Sequence, residues 1–146
     1  MNPARRGPSL AALTIGDEVL RTSTLLERAD LVRYAGASGD FNVIHWNARA
    51  ATEVGLPDVI AHGMLTMARA VHPVVEWCAD PGAVVEYGVR FTKPVVVADP
   101  GQVELQVVGT VGALDHEAGT VRIDLTVTCE GTAILGKARA TVRLPH

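Results

Sequence analysis

Val121-Arg122-Ile123-Asp124-Leu125-Thr126-Val127-Thr128 alternates apolar and polar side chains without a break. Side chains of a strand point to opposite faces in turn, so this segment buries one face and wets the other, as strands of an antiparallel sheet do. The runs 84–93, 102–112, 120–130 and 132–144 are all rich in β-branched residues. The turn signals Asp115-His116-Glu117-Ala118-Gly119 and Glu130-Gly131 separate the last three. Residues 18–26 supply a further strand before them. The expectation is a meander of about four strands, or five or more strands with the first.

The first half of the chain reads differently. A helix is expected over 28–37, with Glu27 and Asp30 near its positive end and Gly39 as the stop. A short helix begins at Asn47, a good N-cap, and stops at Gly55. A longer helical stretch follows over 63–78, with Met64, Met67 or Ala68, Val71, Val75 and Cys78 as its apolar face. Pro73 inside it predicts a kink or an early end. Thr66, Arg69, Pro73 and Glu76 fall on the opposite side, and an unpaired Arg there is costly to bury. That stripe is therefore either solvated or turned toward a partner or a phosphate. One antiparallel sheet wrapped around one long helix is the simplest α+β arrangement that buries both.

The chain has 146 residues, one domain's worth, with 48% hydrophobic and 20% charged residues and a net charge of −3. The charge argues against a nucleic-acid binder. Cys78 and Cys129 lack metal spacing and read as reduced thiols of a cytoplasmic protein. Residues 1–9 read as a mobile tail and 10–146 as the single domain. The apolar run 10–15 is too short for a membrane span or a signal peptide.

The chemistry-bearing stretch is Tyr34 to Trp46. It sets a carboxylate, Asp40, and an imidazole, His45, five residues apart in a connection between two helices. A carboxylate can orient a water, and an imidazole can exchange a proton near neutral pH. Asn42 stands between them with a donor and an acceptor to brace the loop. Further on, Ala61-His62-Gly63-Met64 opens the long helix. A helix start presents unpaired N–H groups, and Gly63 leaves room for a substrate carbonyl to reach one. His72, His116 and His146 read as surface residues, Trp46 and Trp77 as packing, and Met64 and Met67 as core.

Ser38-Gly39-Asp40-Phe41-Asn42-Val43-Ile44-His45, followed by Ala61-His62-Gly63-Met64-Leu65, resembles the paired motifs of MaoC-like (R)-specific hydratases and dehydratases. The similarity extends over nearly the whole chain after residue 14. Within the family it is most similar to HadB-type catalytic subunits of (3R)-hydroxyacyl-ACP dehydratases. The resemblance implies a hot-dog fold, no metal or organic cofactor, and a dimer, either of identical chains or with a second hot-dog subunit. It implies an acyl thioester substrate on ACP or CoA. Catalysis falls to Asp40 and His45, carbonyl binding to the N–H of Gly63, and loop support to Asn42, Ser38 and Gly39. Val43 departs from the pattern, since the family has Pro there, and its freer backbone predicts a looser loop. Rival readings are an (R)-specific enoyl-CoA hydratase of degradation, a non-catalytic subunit that shapes a partner's acyl tunnel, and a hot-dog thioesterase. The intact Asp–Asn–His loop speaks against the last two.

Overall fold

The computed structural model describes residues 7–145. Most of the expected tail, residues 1–6, and His146 lie outside the described residues. Gly7, Pro8 and Ser9 are half-buried, and a side chain at Gly7 would run into the Cys78 carbonyl.

Strand β1 (Glu18–Glu27) leads directly into helix α1 (Arg28–Ser38). Asp30 turns back and accepts from the Glu27 N–H (3.0 Å), closing the first turn. Gly39 ends the helix at φ 78°, the left-handed conformation that costs glycine least. A single 3₁₀ turn (Val43–His45) and a short helix α2 (Ala48–Glu53) follow, the latter capped by Asn47, whose side chain accepts from Ala50 N–H. The long helix α3 spans Gly63–Cys78. After it come β2 (Val84–Phe91), β3 (Gln102–Asp115), β4 (Thr120–Cys129), β5 (Thr132–Ala133) and β6 (Leu135–Arg143).

The strands form one antiparallel sheet in the order β1-β3-β4-β6-β2, with β5 beside β4. Its concave face wraps α3. Val121, Ile123, Leu125 and Val127 on β4 are buried, as their alternation requires, and meet a core that includes Ala70 and Val74 of the helix. This is the α+β hot-dog arrangement, a sheet rolled around one central helix.

Three expectations need correction. The strands after α3 are not a simple meander, because β2 lies on the far edge beside β6, not next to β3. The connection over 92–101 contains Pro94 and Pro100 and buries Val95 and Val97, so it leaves the sheet and carries the chain across the molecule. The run 132–144 is broken near Ile134, with Lys137 at φ 49°; such irregularities help a sheet curl around a helix.

The third correction concerns α3. It continues through Pro73 to Cys78, so the early end does not occur. Its buried face is Leu65, Thr66, Ala70, Val74 and Cys78, while Met64 is 57% exposed rather than core. Positions 66, 70, 74 and 78 recur at i+4 and carry small side chains, which lets the helix axis approach the sheet closely. Pro73 is half-buried beside an open cleft, where the Arg69 carbonyl deprived of its partner can be solvated. Arg69 is partly exposed and is not unpaired. It reaches Asp30 of α1 (3.3 Å) and Thr24 of β1 (3.5 Å). Among the described residues no helix is long and apolar enough to cross a membrane.

Candidate active site

Two pieces of irregular backbone meet at the start of α3. The segment before the helix pairs with the 92–101 connection: Val97 N–H donates to the Val59 carbonyl and Ala61 N–H to the Val95 carbonyl, both at 2.8 Å. Ile60 thereby stands against the Asp40–His45 loop and donates its N–H to the Ile44 carbonyl (3.2 Å). The far side of this junction is anchored by Arg28, which donates to Asp58 (2.7 Å) and to the Val97 carbonyl.

The loop itself is held by a relay of local bonds. Ser38 Oγ donates to the Tyr34 carbonyl (2.7 Å) and accepts from Asp40 N–H (3.1 Å). Asp40 Oδ1 accepts from Asn42 N–H (3.1 Å), and Asn42 Oδ1 accepts from Ile44 N–H (3.3 Å). Trp46 is 48% exposed and is no core residue; its indole N–H straps the loop by donating to the Phe41 carbonyl (3.0 Å).

These bonds leave Asp40 Oδ2 uncommitted, and it faces His45 Nε2 at 3.9 Å. That separation is too long for a direct hydrogen bond and suits one oxygen bonded to both groups. The Asp40 side chain is half-exposed, whereas His45 is 8% exposed. His45 Nδ1 lies 2.7 Å from the Ile60 carbonyl. A carbonyl can only accept, so Nδ1 carries the hydrogen, and in the neutral ring the lone pair is at Nε2, toward Asp40.

Gly63 is the first residue of α3, and among the described residues its N–H has no acceptor. It lines a cleft of about 320 Å³ together with His45, Ile60, Thr66, Phe91, Lys93 and Leu135. Asp40 does not line it but lies 3.9 Å from His45, which does. A side chain added at Gly63 would meet the Phe91 ring at 3.2 Å, so glycine keeps this end of the cleft open. The structure therefore brings together Asp40, His45 and Gly63, with Ser38, Gly39 and Asn42 behind them. His72 and His116 are exposed and do not line the cleft.

Several contributors were not anticipated. Thr66 falls on the polar stripe of the helix by spacing, yet it is buried in the cleft wall, its hydroxyl reaching the His62 carbonyl (3.4 Å). The Ile60 carbonyl has no sequence signature at all. His62 was visible only as the residue before Gly63, yet it is 1% exposed and its ring stacks on His45, centroids 3.8 Å apart. Asp40, His45 and His62 each offer a possible metal-ligating atom within 4.8 Å of the others. Stacking sets the two imidazoles side by side, however, so their in-plane lone pairs do not converge on one point, as a metal would need.

The MaoC like domain model matches residues 11–129, most of the chain, including Asp40, His45, His62 and Gly63. The chain belongs to the MaoC-like domain family. Among relatives, 3-hydroxyacyl-thioester dehydratase X of Mycobacterium tuberculosis (strain ATCC 25618 / H37Rv) is 45% identical over 69 residues, 47% of this chain and 24% of that protein. A solved MaoC-like dehydratase superposes with a TM-score of 0.91 at 40% identity, covering 97% of this chain and 44% of that one. The R-hydratase PhaJ1 from Pseudomonas aeruginosa gives 0.80 at 26% identity, over 94% and 86%. This MaoC-like chain thus spans less than half the length of the first two.

Proposed function

We propose that this MaoC-like chain is a hydro-lyase, a (3R)-hydroxyacyl-thioester dehydratase and (R)-specific enoyl-thioester hydratase, acting on acyl chains carried on ACP or CoA. Residues 10–146 act as its single hot-dog domain. The observation that carries the reading is the 3.9 Å gap between Asp40 Oδ2 and His45 Nε2, beside the free N–H of Gly63. The dehydratase and R-hydratase names of its relatives support it.

In dehydration the thioester carbonyl accepts from Gly63 N–H, which stabilises the enolate that develops. His45 Nε2, whose lone pair is directed by the Ile60 bond, removes the C2 proton. Asp40 Oδ2 holds the C3 hydroxyl. The proton passes to that oxygen as the C3–O bond breaks, so water leaves and the pair is restored. Hydration runs the same path backward, with water in the gap. The two groups work as one coupled unit.

The test is hydration of crotonyl-CoA and crotonyl-ACP by the protein alone and with candidate hot-dog partners. Turnover on at least one carrier is expected, and the preferred carrier separates synthetic from degradative use. No turnover on either, in any combination, would end the reading.

The same reading includes a dimer, homomeric or with a second hot-dog subunit. Phe41, Val43, Trp46, Met64 and Phe91 are apolar and exposed, and β1 and β2 are open sheet edges. Light scattering at micromolar concentration should give about twice the 15.4 kDa chain mass for the homodimer, or the heterodimer mass after co-expression. A fully active monomer would exclude both assemblies.

A further inference from the structure

We propose that His62 is a positioning residue that holds both members of the catalytic pair through one ring. This rests on the reading of Asp40 and His45 as that pair. His62 precedes α3 as its N-cap, and its carbonyl accepts from Thr66 N–H (3.1 Å), so the backbone beneath the ring is tied into the helix. From there the side chain makes two contacts that matter. Nε2 lies 3.1 Å from the Asp40 carbonyl, which can only accept, so Nε2 carries the hydrogen. The ring face lies on His45, 3.8 Å between centroids and 24° from parallel. Tyr34 of α1 meets the same ring at 4.8 Å and 58°, so it is gripped from a second element.

A residue that merely filled space here would be apolar. His62 instead leaves Nδ1 buried without a partner among the described residues. Burying an unpaired polar atom costs free energy, and the native fold keeps few of them. The two contacts explain why the cost is borne. Phenylalanine could stack on His45 but could not donate to Asp40. Glutamine could donate but could not stack. The histidine ring does both from this backbone position, and the two imidazoles then hold opposite tautomers, Nδ1–H in His45 and Nε2–H in His62. Both contacts bear on the 3.9 Å gap in which the oxygen of substrate or water must sit.

The first test needs no variant. Imidazole nitrogen shifts of the wild-type protein should report Nε2–H for His62 and Nδ1–H for His45. An Nδ1–H tautomer at His62 would overturn the proposal, even if every variant misfolded. The second test compares His62→Phe and His62→Gln with wild type and Asp40→Asn on crotonyl-CoA. Each His62 variant should lose about 100-fold in kcat, the cost of misplacing a reacting group by about 1 Å. KM should stay within about twofold, because the carbonyl site at Gly63 is untouched. Folded variants with wild-type kcat, or with a loss confined to KM, would overturn the role of His62. An Asp40→Asn protein of full activity would instead remove the underlying reading and leave the nitrogen shifts to judge the geometry.

Discussion

Asp40→Asn and His45→Ala are each expected to lower turnover by roughly two to four orders of magnitude, the range for a positioned acid or base. The asparagine variant is the sharper probe. It keeps the acceptor that Asn42 N–H uses, so the relay from Ser38 to Ile44 stands, and only the charge facing His45 is lost. Asp40 is half-exposed in a loop, and little core depends on it. His45→Ala removes a buried ring and frees the Ile60 carbonyl, so its melting temperature should fall somewhat more. Steady-state hydration kinetics beside a thermal melt separate the two effects. A folded variant of either kind with near-wild-type turnover would show that the pair is not the catalytic centre.

Gly63→Val should be nearly as damaging although it touches neither group. The main chain at Gly63 is not in the left-handed region, so valine imposes no backbone strain. Its branches would occupy the space through which a thioester carbonyl reaches the N–H, and the first carbon already crowds Phe91 at 3.2 Å. A loss of about 10²–10³ in kcat is expected, comparable with removing one oxyanion donor, and Gly63→Ala should fall between. Adding Phe91→Ala is the control. It relieves the contact with the ring but not the obstruction of the carbonyl, so activity should not return. Recovery in the double variant would mean that packing alone was at stake and would sink the carbonyl role.

The elements were legible where their causes are local. Period-two alternation over Val121–Thr128 marks a strand because successive side chains point to opposite faces, and β4 follows it. Gly39 and Asn47 end and begin helices through their own backbone and side-chain preferences, and both do so in the structure. The Asp40–Asn42–His45 spacing and the glycine at Gly63 were readable too, because they lie in short stretches where residue type and position coincide.

What depends on distant contacts was not legible. The edge position of β2 follows from where the 92–101 connection buries Val95 and Val97. The facing of α3 was misread by about one residue, because Met64 looks like core until the sheet selects the small row of Thr66, Ala70, Val74 and Cys78. Arg69 looked unpaired because Asp30 and Thr24 are far from it in sequence. The His45 tautomer depends on a carbonyl, which every residue possesses, so no residue type announces that Ile60 supplies it. By itself the sequence determined most strand and helix positions, the caps and which polar side chains share the Ser38–Trp46 loop, because these follow from side-chain type and spacing. Tertiary structure alone decided strand order, helix facing and the mutual aim of Asp40, His45 and His62, because packing of distant segments sets them.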